Sequence, residues 1–119
     1  MANELTINLP SFTYVKSPFN ENMTPGVLQV TVIGKKIIHG HITLTTADTL
    51  LNKGNIGTYG FVYMKNWDST NIVNIGGDGT TYPLALNPGE FWIGRWNVAA
   101  LHAKSVAGSP LLEYWAVEA

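Results

Sequence analysis

His39-Gly40-His41 is the segment of this chain best suited to chemistry. On a strand, residues i and i+2 share a face, so two imidazoles at this spacing can converge on zinc or iron. Two imidazoles alone do not make a full ligand set, so further carboxylate or histidine donors are sought nearby in the chain. Ile42 to Thr46 contains no acid, and Pro88-Gly89 is followed by Glu90-Phe91-Trp92-Ile93. His102 is the third and last histidine. The expectation is therefore two histidines on a wet strand face, with no metal and no cofactor.

Other chemistry is poorly supported. There is no cysteine, which excludes disulfides, thiolate metal sites and cysteine nucleophiles. Gly76-Gly77-Asp78-Gly79-Thr80 lacks the Lys-Ser/Thr ending of a phosphate loop and the spaced acids of a calcium loop. It reads as a hairpin turn. No serine sits in a Gly-x-Ser-x-Gly elbow, and the eight acids are scattered. No catalytic residue is assigned, and the expectation is a protein that is not an enzyme. Among the four tryptophans, Trp67 lies in a polar corner, while Trp92 and Trp96 lie four apart on one strand and share a face opposite Phe91, Ile93 and Arg95. Trp67, Trp92 and Trp96 are the candidate interface residues.

The elements that must position these residues are strands. The polar surface comes from twelve Thr and eleven Asn rather than from Glu, Lys and Arg, which argues against a helix bundle. Alternating or apolar runs predict strands at Leu5–Leu9, Phe12–Val15, Val27–Ile33, Ile37–Leu44, Tyr59–Met64, Asn71–Ile75, Tyr82–Leu86, Phe91–Trp96, Leu101–Val106 and Leu111–Val117. Pro83 marks Tyr82–Leu86 as an edge. Ser17 to Gly26, with two prolines and two asparagines, reads as a loop. Thr46 to Leu51 reads as one short helical turn capped by Thr46. Eight to ten short strands with turns every eight to twelve residues predict an all-β, jelly-roll-like antiparallel sandwich, filling 1–119 as a single domain.

Charge narrows the partners. A net charge of −1 argues against an electrostatic nucleic-acid binder. No apolar run approaches the roughly 18 residues of a membrane span. Met1-Ala2-Asn3-Glu4 shows no signal-peptide pattern, so synthesis in a cytoplasm is expected. Charged residues make up 13% of the chain, about half the usual share, which fits a surface partly covered by other subunits.

From Tyr59 to Glu118 the order of features is familiar. An aromatic strand is followed by Lys65-Asn66-Trp67-Asp68-Ser69-Thr70-Asn71-Ile72-Val73-Asn74-Ile75-Gly76 and a Gly-Asp-Gly turn. Next come Pro83-Leu84-Ala85-Leu86-Asn87-Pro88-Gly89-Glu90-Phe91, then Leu101-His102-Ala103-Lys104 and a terminal Leu112-Glu113-Tyr114-Trp115-Ala116-Val117-Glu118. This half of the chain resembles small virion proteins of tailed bacteriophages. The resemblance implies a non-enzymatic structural protein on a virion, with other virion subunits as partners and a homo-oligomeric state. A capsid decoration protein is the first expectation; a head–tail, tail or baseplate component is another. A carbohydrate-binding sandwich using Trp67 or Tyr59 as a stacking platform is the alternative from a different class. A cupin-like metal enzyme comes third.

Overall fold

The computed structural model describes residues 4–119; Met1-Ala2-Asn3, read above for a leader, lies outside the described residues. Every regular element in it is a strand. The chain forms two compact units, one ending at Ile33 and one running from Gly34 to Ala119. The sequence reading draws one domain there, because Ile33-Gly34-Lys35-Lys36 carries no linker-like composition.

The first unit holds β1 (Leu5–Leu9), β2 (Phe12–Lys16), β3 (Phe19–Met23) and β4 (Gly26–Val30). β1 pairs antiparallel with β4, and β2 with β3. Leu9 opposite Gly26 and Phe12 opposite Met23 continue one register, so the four strands make one long hairpin. It is interrupted where Pro10-Ser11 stands across from Thr24-Pro25, since neither proline has an N–H to give the ladder. The tip is Ser17-Pro18, joined by a cis peptide bond, as in turns with proline at the third position. The loop expected over Ser17 to Gly26 is thus corrected to a tip, β3 and the start of β4. Asn20, Asn22 and Pro18 give this stretch the composition of a loop, but its backbone pairs with β2 regardless.

The second unit contains β5 (Ile37–Thr43), β6 (Thr49–Leu50), β7 (Tyr59–Asn66), β8 (Val73–Gly76), β9 (Leu84–Leu86), β10 (Phe91–Val98), β11 (His102–Ser105) and β12 (Leu111–Glu118). Two four-stranded antiparallel sheets form, with orders β10-β7-β12-β5 and β6-β11-β8-β9. The first of these eight strands pairs with the last, the second with the seventh, the third with the sixth and the fourth with the fifth. That nesting is a hairpin of eight strands rolled over on itself, the jelly roll that the spacing predicts. β9 is an edge strand, as Pro83 implies.

The core follows from period-two alternation. Val62 and Met64 of β7 and Leu112, Tyr114 and Ala116 of β12 face Val73, Ile75, Leu86 and Ala103 from the other sheet, all buried. Leu44, Leu51, Ile56 and Leu101 complete the core from strand ends and loops. The helical turn expected at Thr46 to Leu51 is a bend followed by β6. Leu50 pairs with His102, and the Leu51 amide donates to the Leu101 carbonyl at 2.9 Å, so tertiary pairing overrides the local cap signal. Asn66, fully buried at the end of β7, ties the corner: its Nδ2 donates to the carbonyls of Asn71 at 2.8 Å and Leu86 at 3.0 Å.

Candidate functional site

The outward face of the β10-β7-β12-β5 sheet collects the polar and aromatic side chains that alternate with the core residues. Register aligns His41, Glu113, Lys65 and Phe91 in one row, and His39, Trp115, Tyr63 and Ile93 in the next. His39 and His41 thus share the wet face, as expected, and Glu113 of β12 stands directly opposite His41.

These groups converge. His39 Nε2 lies 2.7 Å from Glu113 Oε2, and His41 Nε2 lies 3.7 Å from the same oxygen. A carboxylate only accepts, so the His39 contact places the ring proton on Nε2. The other oxygen, Oε1, accepts the indole N–H of Trp67 at 2.8 Å. Lys65 Nζ sits 3.7 Å over the Trp67 ring. The imidazoles are about half exposed (53% and 54%), while the Glu113 side chain is only 16% exposed. The hydrogen bonds from His39 and Trp67 hold the Glu113 carboxyl below its ordinary range. Burial, with the Glu113 charge beside it, pushes the Tyr63 hydroxyl upward.

Glu113 is the functional residue that local spacing misses. The carboxylate sought within a few residues of His41 arrives from the last strand. Its one sequence signal is the alternation Leu112-Glu113-Tyr114, which turns an acid outward, but nothing in the chain announces that β12 lies beside β5.

The candidate interface residues separate. Trp67, 53% exposed, joins the His39–His41–Glu113 cluster. Trp92 and Trp96 take the inward face of β10, half-buried, with rings 5.8 Å apart in an edge-on pair packed against the core. With Pro83, Leu84 and Arg95 they border an open hollow of about 320 Å³. Phe91, on the opposite face, is exposed. Tyr59, named with Trp67 as a stacking platform, is fully buried and cannot meet a sugar.

A second polar cluster lies on the other sheet. Asp48 Oδ2 is 2.8 Å from His102 Nδ1, and Asp48 Oδ1 accepts the Tyr82 hydroxyl. These two bonds, Tyr82 first, lower the Asp48 carboxyl, and the same carboxylate pushes Tyr82 up to about 12. The pair has the orienting half of a catalytic triad, yet among the described residues no hydroxyl is hydrogen-bonded to His102 Nε2. Chemically it is a tie between the stretch before β6 and the loop after β8. Two further loops repeat one device. Asp68 Oδ2 accepts the amides of Thr70 and Asn71, and Asp78 Oδ1 those of Thr80 and Thr81. Asp78 is thus a turn-closing residue, in keeping with the hairpin reading of Gly76 to Thr80.

Comparison of the chain with family models, with curated proteins and with solved structures finds no match.

Proposed function

We propose that this chain is a non-enzymatic structural protein of a virus particle, a decoration protein attached in many copies to a capsid and to its own neighbours. One observation carries the reading: the hairpin presents apolar faces that a two-stranded ribbon cannot cover. Register puts Phe12, Tyr14, Phe19 and Met23 on one face of β2–β3, together with Lys16 and Glu21, and Leu5, Ile7, Leu9, Leu28 and a buried Val30 on one face of β1–β4. Phe12, Tyr14, Phe19, Leu9 and Leu28 are all exposed. Two strands alone are marginal in water, and monomers rarely keep large apolar patches bare. A second subunit or a capsid surface supplies the missing cover, and closed symmetry is the usual outcome among copies. The low share of charged residues and the phage-like order from Tyr59 to Glu118 support the same reading.

Sedimentation velocity of the full chain is expected to give a multiple of 13.0 kDa, reduced by Phe12→Ser combined with Tyr14→Ser. Cosedimentation with assembled capsids tests the particle. A monomer that also stays in the supernatant beside capsids overturns the proposal.

One observation favours a second reading as a carbohydrate-binding module: Trp67 stands exposed on the outer sheet face. The residue is 53% exposed, with the Lys65 ammonium 3.7 Å over its ring. Glycan-array binding abolished by Trp67→Ala would favour that reading over the first.

A further inference from the structure

We infer that His39, His41 and Glu113 form a binding site for a divalent transition-metal ion of the zinc class, on the outer face of the β10-β7-β12-β5 sheet. The site does not depend on the assembly reading above.

Two features of the fold build it. The pleat of β5 sends His39 and His41 to one side, with ring centroids 5.3 Å apart. The β5–β12 register sets Glu113 directly across from His41, the closest cross-strand relation a sheet offers. The three donor atoms consequently lie within 4.8 Å of one another. Donors around a tetrahedral zinc at about 2.0–2.2 Å stand roughly 3.3 Å apart. The observed separations of 2.7 and 3.7 Å from Glu113 Oε2 bracket that value. Closing on an ion needs only a small swing of exposed rings.

Trp67 adds the outer shell. Its indole N–H occupies Glu113 Oε1, which aims Oε2 between the imidazoles, the way carboxylate ligands are oriented in metal sites. Lys65 is Glu113's neighbour across the β7–β12 ladder, yet its ammonium lies over the Trp67 ring. Among the described residues, the ion pairs of Glu113 are with the two histidines. For His39 Nε2 to ligate, the neutral ring takes its other tautomer, Nδ1 gaining a proton from solvent as Nε2 gives one up, so the Nε2 lone pair that the Glu113 contact occupies becomes the donor. Two imidazoles and one carboxylate select zinc, cobalt, nickel or copper over magnesium and calcium. Three protein ligands leave a further position to water.

Calorimetry of the tag-free full chain with ZnCl₂ is expected to show one Zn²⁺ per chain, and CoCl₂ to give the visible bands of a low-coordinate site. MgCl₂ and CaCl₂ should give no heat. The double variant His39→Ala/His41→Ala and, separately, Glu113→Gln should abolish stoichiometric binding with unchanged circular dichroism. Trp67→Phe, which removes only the indole donor, should weaken it about tenfold. His102→Ala, at the other histidine cluster, should bind as the parent does. Absence of zinc binding by the parent overturns the inference. So does binding that survives the double histidine variant or disappears with His102→Ala.

Discussion

The hairpin of β1–β4 and the jelly roll of β5–β12 are written in the same alphabet. Each alternates apolar with polar residues at period two, and each pairs its strands antiparallel. They differ in what lies behind the apolar face. In the jelly roll a second sheet stands opposite, so Met64, Ile75 and Leu112 are fully buried. In the hairpin, Phe19 is 56% exposed and Tyr14 49%. Alternation specifies which side chains share a face; only topology decides whether that face becomes a core.

The contrast breaks most visibly under truncation. Met64→Ala should destabilise the jelly roll by about 3 kcal/mol, since it empties a closed core. Phe19→Ala should cost within about 0.5 kcal/mol, because its side chain is 56% exposed. Denaturant unfolding of the two variants checks both values, and a large Phe19 effect would mean the hairpin's apolar face is covered within the single chain. Next in size is the corner at Asn66. Asn66→Ala leaves the buried Leu86 carbonyl and the part-buried Asn71 carbonyl without their donor and should cost about 2 kcal/mol by the same measurement.

Much of this was legible in the chain, and the gaps have physical causes. The alternation of Trp92 and Trp96 against Phe91, the edge at Pro83 and the all-β class rest on local sterics, which short segments carry within themselves. β3 escaped because strand pairing satisfies Asn20 and Asn22 as well as a loop does. β6 is two residues long, too short for any period. The Glu113 contact joins residues 74 apart in sequence, so it exists only once the first and last strands of the jelly roll have met.

Acid should sharpen the comparison further, with a smaller effect. The aspartates held below their ordinary value of 3.8 are Asp48, Asp68 and Asp78, all in jelly-roll loops. Asp48 is lowered by Tyr82 and His102, and Asp68 and Asp78 by the amides they cap. A carboxyl lowered in the folded state adds stability above its unfolded value, and that stability is lost as pH falls through the lower folded value. Thermal melts should therefore be level down to about pH 5 and decline below it. Asp78→Asn should flatten that decline; an unchanged acid limb would refute the role given to the capped loops. Smallest in stability terms is Phe12→Ser with Tyr14→Ser. It should leave the melting midpoint nearly unmoved while the sedimentation coefficient falls.

The facing prolines of the hairpin have a further consequence, for aggregation. An exposed two-stranded ribbon offers two free edges, each an invitation to open-ended strand addition. Here each edge is cut into runs of five residues, with Pro10 breaking one side and Pro25 the other. An incoming strand finds no continuous row of amides and carbonyls to copy. The apolar side chains stay bare, while the backbone refuses to seed a fibre. A segment with this many exposed aromatics and aliphatics is thus guarded by two prolines against open-ended strand addition.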